Sequence, residues 1–406
     1  MFGRIRETAA TVTGQARSTF ANEVCPFCFD TFKLKETPFR CASPPGRCKV
    51  LPDPVLKRAW GNGLPIGQVL ASDGWFAQSR ACPDCGQRSH KRLCPHCHQD
   101  LPHTFGEYRN FIFSVVGAKW AGKSHYLTVL IEQLKNHVGP RLDMLLQPVN
   151  DQTINRYRTQ FHTPLFSGHR TLDATQSAFL AQEVQFPMVF TMMFSGKSLM
   201  GRDKIRNAVT ISFFDTAGED LKAEDNMSAV NKYIYRSDGI ILLLDPLQLD
   251  YVRDTLGTST PLPPRESETA DIIARMTKLI RIGRSLGSTS PIPIPLAVTF
   301  SKLDAVVPLI DPQMQINSTS RLGTTFDRSD FEAVNAEVQS LIAQWESQYL
   351  LQQVTTQFKT YGFFGMSALG CQPDPKTRAV ARITPQRVED PFLWLLHHHK
   401  LIKAAA

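Results

Sequence analysis

The sequence predicts an α/β fold, a mostly parallel sheet with one antiparallel strand and helices on both faces, preceded by a small cysteine-rich module. From about residue 108, short apolar runs alternate with stretches of helical length, which is the pattern of a doubly wound sheet. Eight of the nine cysteines lie between Cys25 and Cys97. The 406 residues, of which 42% are hydrophobic, suffice for one large and one small domain.

Four apolar runs are the predicted parallel strands: FIFSVV, GIILLLD, PLAVTF and YGFFGMS, in chain order. Two further β-rich runs, MVFTMMF and AVTISFF, are joined by SGKSLMGRDKIRN and read as a hairpin, so one strand should run against the others. Helices are predicted from His125 to His137, from Ser267 to Ser285 and from Asp330 to Leu350. DPFLWLL, starting at Asp390, is predicted to be a final packed helix rather than a membrane-touching end.

The cysteines form a pattern typical of metal binding. Four of them stand as Cys-x-x-Cys pairs eight residues apart, and the earlier four are one such pair plus two more loosely spaced cysteines. Four thiolates close a tetrahedral zinc site, so two structural zinc ions are predicted, with no open position for catalysis. We expect two sequential sites, with a cross-brace of interleaved pairs as the alternative. The predicted ligands are Cys25, Cys28, Cys41, Cys48, Cys82, Cys85, Cys94 and Cys97.

Charge and hydropathy limit which partners and which cellular location the sequence predicts. The formal net charge of +8 favours a phosphate-rich partner, but eight thiolates and two zinc ions would bring the first 105 residues to about +2, so a nucleic-acid face is not indicated. No apolar run approaches the roughly 18 residues of a membrane span, and the start of the chain lacks a signal-peptide core. We expect a cytoplasmic protein without a transmembrane segment.

The stretch GAKWAGKS fits the phosphate-binding pattern G-x-x-x-x-G-K-[ST] and lies between FIFSVV and a helix, where its mechanism requires it. Its backbone N–H groups should cradle phosphates, Lys123 should reach the β- and γ-phosphates, and Ser124 should ligate magnesium. The predicted nucleotide contacts of this loop are Gly117, Ala118, Lys119, Trp120, Ala121, Gly122, Lys123, Ser124 and His125.

Three later stretches complete a nucleotide site. In DTAG, which follows AVTISFF, Asp215 is placed to hold magnesium and the Gly218 N–H to meet a γ-phosphate. In SKLD, which follows PLAVTF, Asp304 can accept both the ring N–H and the exocyclic amine of guanine, while the stem of Lys302 packs over the base and Ser301 precedes them. A last stretch follows YGFFG, and its backbone amides should meet the guanine carbonyl. It consists of Ser367, Ala368 and Leu369.

In this combination and order, GAKWAGKS, DTAG, SKLD and SAL resemble the motifs of Ras-like and translation-factor P-loop GTPases, over about residues 108–399. The resemblance implies a P-loop GTPase fold over residues 106–400. Before it, the cysteine pattern predicts a zinc-ribbon-like module at 25–105, preceded by an N-terminal extension at 1–24. The resemblance also implies binding of GTP, GDP and magnesium, with hydrolysis to GDP and phosphate.

Two departures from that class affect catalysis. Relatives often have a glutamine after DTAG that orients the attacking water, but here Glu219 stands there, so we expect slow hydrolysis without a partner. The 98 positions from Gly117 to Asp215 leave room for a long first switch, whose threonine should ligate magnesium. Thr175 is preferred over Thr171 as this ligand. The predicted catalytic residues are Lys123, Thr175, Asp215, Gly218 and Glu219.

With CPFC, CPDC, CPHCHQDLP, FDTAGED and VEDPFLWLL, the whole chain is similar to bacterial double-GTPase proteins. This second resemblance implies a role in a multi-protein bacterial system such as anti-phage defence, with protein partners, among them a second GTPase chain. Three functions follow as hypotheses: a GTP-driven switch; a GTP-binding scaffold with little turnover whose zinc module recruits protein or nucleic acid; and a nucleic-acid sensor.

Overall fold

The cysteine module consists of short antiparallel strand pairs linked by turns. The computed structural model describes residues 22–44, 46–61, 66–72, 78–173, 186–197, 203–214, 229–257, 262–265, 269–321, 325–345 and 348–405. The module strands are β1 (Asn22–Val24), β2 (Thr31–Lys33), β3 (Phe39–Arg40), β4 (Val50–Leu51), β5 (Ile66–Gly67), β6 (Val69–Leu70), β7 (Arg80–Ala81) and β8 (Arg88–Ser89), and the helix α1 is Pro54–Trp60. β1 pairs with β2, β3 with β6, β4 with β5 and β7 with β8.

The rest of the chain is built on a seven-stranded sheet. Its strands are β9 (Asn110–Gly117), β10 (Met144–Pro148), β11 (Met188–Lys197), β12 (Asp203–Phe213), β13 (Gly239–Leu244), β14 (Leu296–Phe300) and β15 (Tyr361–Gly365). The order across the sheet is β10, β11, β12, β9, β13, β14, β15. β11 is antiparallel to both of its neighbours, whereas β12, β9, β13, β14 and β15 pair in parallel. The predicted hairpin and the one opposed strand are confirmed.

Helices cover both faces of this sheet. They are α2 (Lys123–Gln133), α3 (Gly139–Arg141), α4 (Asp151–Arg156), α5 (Ala229–Tyr235), α6 (Asp250–Leu256), α7 (Thr269–Gly283), α8 (Leu303–Val306), α9 (Arg328–Trp345), α10 (Gln348–Gln357) and α11 (Asp390–His398), with wider π-helical turns at Leu134–Val138 and Tyr157–Ser167. One apolar core lies between the sheet and α2 and α11, and a second lies under α5, α7, α9 and α10. The predicted fold class is therefore confirmed.

Several local predictions can be compared with this arrangement. Of the predicted helix from Asp330 to Leu350, the part up to Trp345 lies in α9 and the part from Gln348 lies in α10, while residues 346 and 347 lie outside the described residues. The end of the chain packs rather than projects: every residue from Pro391 to Leu396 in α11 is buried. In the described part of the chain, no helix is long and apolar enough to cross a membrane.

Candidate nucleotide-binding site and cysteine clusters

The residues predicted to hold a nucleotide follow strands that end at one edge of the sheet. The register aligns Gly117 of β9 with Leu243 of β13, Leu243 with Thr299 of β14, and Thr299 with Phe364 of β15. After β9 the chain continues to β10 on one side of the sheet, whereas after the adjacent β13 it continues to β14 on the other side. In open α/β sheets, ligands bind at the carboxyl ends of the strands at such a switch point.

The glycine loop turns sharply between β9 and α2. Trp120 and Gly122 both have left-handed backbone angles, with φ of 65° and 85°, and the Ala121 N–H donates to the Ala118 carbonyl at 3.3 Å. A side chain at Gly117 would not fit, because its Cβ would lie 2.7 Å from the Leu243 carbonyl oxygen. Glycine at 117 therefore permits the close approach to β13, and glycine at 122 permits the turn into the helix.

Lys123 folds back over this loop. Its Nζ donates to the carbonyl oxygens of Gly117, at 3.0 Å, and of Ala118, at 2.8 Å, and the residue is only 7% exposed. Ser124 follows in the first turn of α2, so a buried cation, a hydroxyl and the helix N-terminus lie together. This combination of donors favours a phosphate anion, and the Ser124 hydroxyl is of the type that ligates magnesium.

His125 joins the loop to the beginning of the predicted first switch. Its Nε2 accepts the Leu172 N–H at 3.0 Å. Burial, with smaller contributions from Lys302 and Arg378, lowers the pKa of His125 to about 4, so the ring is neutral at pH 7 and able to accept this bond.

The two predicted guanine-reading stretches meet directly. The Ser367 hydroxyl donates to Oδ1 of Asp304 and accepts the Gly370 N–H at 2.8 Å. The Leu303 N–H donates to the Met366 carbonyl at 3.2 Å, which joins the two loops by their backbones. Ser367 is buried, as is Ala368, while Asp304 and Leu369 are partly exposed. The carboxylate of Asp304 is thus oriented from the neighbouring loop.

Lys302 is held by a residue that the sequence analysis did not select. Its Nζ lies 2.6 Å from Oδ2 of Asp245, whose side chain is almost fully buried at the end of β13. Lys302 itself has a left-handed φ of 53° at the start of α8, and the hydroxyl of Ser301 donates to the Leu244 carbonyl at 3.1 Å. An acidic residue directly after the run GIILLL was the available signal for Asp245.

Part of the predicted site lies outside the described residues. This applies to Asp215, Gly218, Glu219 and Thr175. Thr171 is described, and its hydroxyl accepts a bond from Nε of Arg378 at 2.9 Å.

Arg378 is a second residue that the sequence analysis missed. Its Nη2 donates to the carbonyl oxygens of Leu172, at 2.7 Å, and of Thr171, at 3.1 Å, and its Nη1 lies 2.8 Å from Asp173. Arg378 belongs to the excursion 370–386, which leaves and returns at Ser367 through a pair of backbone bonds to Gln386. Nothing in the local sequence distinguishes this arginine from a surface residue.

The eight module cysteines form two groups of four sulfur atoms. The first cysteine cluster is Cys25, Cys28, Cys94 and Cys97, and the second is Cys41, Cys48, Cys82 and Cys85. Sulfur atoms lie 3.8 Å apart between Cys25 and Cys97 and between Cys28 and Cys94, and 3.7 Å apart in the corresponding pairs of the second cluster. Tetrahedral zinc with Zn–S bonds of about 2.3 Å requires about 3.8 Å between sulfurs. Both clusters therefore fit structural zinc.

This pairing corrects the expectation of two sequential sites, and it is not a cross-brace either. The pairs are nested, because the first cluster joins the outermost cysteines of the module and the second joins the inner ones. Antiparallel pairing is the cause: β3 lies beside residues 91–93, with the Arg40 N–H bonded to Lys91 and the Leu93 N–H bonded to Pro38. The chain on either side of β3 thus meets its partners in reverse order.

No family model matches the chain. A Mycolicibacterium smegmatis protein, described provisionally as the ESX-1 scaffolding and assembly protein SaeC, is 25% identical over 322 residues, which are 75% of this chain and 78% of that protein.

Three of the similar solved structures are of P-loop GTPases. The small GTPase Arl6 of Trypanosoma brucei, with bound GppNp, matches 73% of this chain and 99% of its own at 13% identity and a TM-score of 0.31. The GTP-bound GTPase-like domain of Ski7 from S. cerevisiae covers 72% of this chain and 50% of its own, at 13% identity and 0.30. The bacterial selenocysteine-specific elongation factor EF-Sec matches 71% of this chain and 29% of its own, at 13% identity and a TM-score of 0.26. Similarity this distant assigns no function by itself.

Proposed function

We propose that the chain binds GTP and GDP with magnesium and acts as a GTP-dependent switch. The observation that carries the proposal is the joined guanine-reading pair, in which the Ser367 hydroxyl orients the Asp304 carboxylate. A carboxylate fixed in this way can accept two N–H groups of guanine, whereas adenine presents one donor and one acceptor there. The loop from Gly117 to Ser124, at the same edge of the sheet, supplies the phosphate-binding part.

The magnesium ligands of the proposed site are Ser124, Asp215 and Thr175. The environment of Thr171 supports the choice of Thr175, because the Thr171 hydroxyl already accepts a charged donor from Arg378. A magnesium ion on the same oxygen would lie beside a guanidinium cation, which is electrostatically unfavourable. Bound magnesium would neutralise charge on the β- and γ-phosphates.

We further propose that hydrolysis is slow and needs a partner, because Glu219 stands where a glutamine would orient water. Similarity to a protein described as a scaffolding and assembly factor supports a setting in a multi-protein assembly. It favours that setting over the defence system implied by the double-GTPase resemblance. The alternative, a GTP-binding scaffold with little turnover, is supported by the same two observations.

The test is magnesium-dependent binding of fluorescent GTP, GDP and ATP analogues to the wild type and to Asp304→Asn. Replacing an acceptor oxygen by an amide donor should weaken GTP binding by roughly 100-fold, since hydrogen bonds to charged groups are worth about 1.5–3 kcal/mol each. Asp143→Asn is the matched control, because Asp143 is exposed and its left-handed φ of 48° suits asparagine equally. Equal binding of ATP and GTP by the wild type would refute guanine recognition.

Single-turnover phosphate release then separates the two functions. A switch should release phosphate from bound GTP, at a rate that a partner raises, whereas a scaffold should retain GTP through the same incubation. The nucleic-acid hypothesis predicts binding that weakens steeply with salt, which a titration at several salt concentrations would detect.

A further inference from the structure

Phe29 belongs to the cysteine module by sequence, yet its side chain lies in the core of the sheet domain. It directly follows Cys28, has a left-handed φ of 59° and is fully buried. Its ring centroid lies 5.9 Å from that of Phe214 and 5.1 Å from that of Tyr233, and Phe214 and Tyr233 are 5.6 Å apart and perpendicular. These three residues form a closed aromatic cluster between the module and the sheet.

Two residues of the aromatic cluster, Phe214 and Tyr233, flank a proposed catalytic stretch in the sequence. Phe214 immediately precedes Asp215, and Tyr233 belongs to α5, which is the next described element after residue 228. The Tyr233 hydroxyl donates to the Phe113 carbonyl at 2.7 Å and accepts the Phe214 N–H at 3.3 Å. Tyr233 therefore ties the end of β12 to β9, the strand that leads into the phosphate loop.

Polar contacts hold the module at the same place. The buried hydroxyl of Ser212 in β12 donates to the Pro26 carbonyl at 2.8 Å, and Nζ of Lys232 in α5 lies 2.6 Å from Oδ1 of Asp30. Pro26 and Asp30 both belong to the turn that carries Cys25 and Cys28. This turn thus contacts the strand before the proposed catalytic stretch and the helix after it.

The first cysteine cluster fixes the conformation that places Phe29. The Cys25 N–H donates to the Asp30 carbonyl at 2.9 Å, and the Phe29 N–H donates to the Cys25 carbonyl at 3.1 Å, so the turn closes around the sulfur atoms. A left-handed φ is uncommon outside glycine, and a metal held by Cys25 and Cys28 would stabilise it. The second cluster differs, because its apolar neighbours Phe39 and Leu70 come from the module itself.

We propose that the first cysteine cluster, loaded with zinc, braces the nucleotide site through Phe29, which acts as a positioning residue for the ends of the stretch that carries Asp215. The proposal rests on the proposed GTP binding and assigns the module a regulatory role within the chain. Loss of the brace loosens the contact of β12 with α5 and shortens the lifetime of bound nucleotide. The second cluster has no such effect.

The experiment compares Phe29→Leu with Phe39→Leu in the full, zinc-loaded chain. Both phenylalanines are fully buried, and while Phe39 packs with Cys41 and Cys82 of the second cluster, Phe29 directly follows Cys28 of the first, so the two substitutions are matched in chemistry and burial. With two zinc ions per chain confirmed by native mass spectrometry, Phe29→Leu should raise the dissociation rate of a fluorescent GTP analogue roughly 3- to 30-fold. Phe39→Leu should leave the rate within about twofold of the wild type.

Hydrogen exchange at the amide of Phe214 and in residues 231–235 gives a readout that does not need nucleotide. Exchange should be faster in Phe29→Leu than in Phe39→Leu, so the brace is tested even where guanine binding itself fails. Lys232→Gln, which removes the ion pair to Asp30 from the other side, should act in the same direction if Phe29→Leu does not fold. Unchanged exchange, or faster exchange with unchanged dissociation from a GTP-binding wild type, would overturn the proposal.

Discussion

The contact of Arg378 with Thr171 and Leu172, at the beginning of the predicted first switch, gives the prediction whose free-energy cost is best defined by the structure. One guanidinium group bonds two successive carbonyl oxygens and a hydroxyl, those of Leu172 and Thr171, while the Thr171 N–H returns a bond of 2.9 Å to the Arg378 carbonyl. On the other side, the Leu172 N–H is bonded to His125. Residues 171–173 are therefore fixed between the excursion 370–386 and α2.

The free-energy cost of replacing Arg378 can be estimated from how exposed its partners are. The ion pair of Arg378 with Asp173 contributes little, because Asp173 is 93% exposed, and such pairs are worth about 0–1 kcal/mol. The bonds to the Thr171 and Leu172 carbonyls are better shielded, and a bond from a charged donor is worth about 1.5–3 kcal/mol before discount for partial exposure. Arg378→Gln should therefore release residues 171–173 at a cost of about 2 kcal/mol, or roughly 30-fold in the local equilibrium.

The assay is the dissociation rate of a fluorescent GDP or GTP analogue, with hydrogen exchange at the amides of Thr171 and Leu172 measured in parallel. Both should rise in Arg378→Gln. Arg382→Gln is the control, because Arg382 is an exposed arginine of the same excursion. If Arg378→Gln and Arg382→Gln give the same exchange at Thr171 and Leu172, the arginine does not hold this segment and the reasoning is refuted.

Two other predictions concern the metal clusters and pH. The double variant Cys25→Ala with Cys97→Ala should lose one zinc ion of two by native mass spectrometry, because both belong to one nested cluster, whereas sequential sites would lose both ions. Burial lowers the pKa of His125 to about 4 in the folded chain. Between about pH 6.5 and 4 the unfolded chain therefore binds a proton at this histidine that the folded chain does not bind. The free energy of unfolding should fall as the pH drops through this range. Urea unfolding across this range should show a smaller decline in His125→Gln than in the wild type; an equal decline in both would assign the effect to other groups.

The sheet was predictable because its strands carry strong local signals. Runs such as GIILLL are apolar throughout, which is typical of strands buried on both faces of a parallel sheet. Edge strand β10 was not predicted, because Met144–Pro148 is short and alternates buried with exposed residues, a weak pattern in a long connection.

The candidate nucleotide site could be predicted only where its residues are consecutive in the sequence and form a local motif. GAKWAGKS and SKLD are local motifs. The bond between Asp304 and Ser367 forms because SKLD and the stretch with Ser367 follow adjacent strands that end at one edge of the sheet. The nested cysteine pairing depends on β3 lying antiparallel to residues 91–93, which cysteine spacing does not encode. Phe29 and Arg378 contact residues that lie more than 180 positions away in the chain, and nothing beside them in the sequence indicates these partners.

Two additions to the sheet domain thus contact the candidate nucleotide site from different faces. Leu172, which Arg378 holds, packs into the core beside α2, whereas Phe29 packs into the core beside α5 and α7. Sites that share no partner act nearly additively on stability. A partner that binds the excursion and one that binds the cysteine module would therefore change the hold on the nucleotide separately, without contacting it. For the proposed switch, whose own hydrolysis is proposed to be slow, this arrangement would offer two independent inputs.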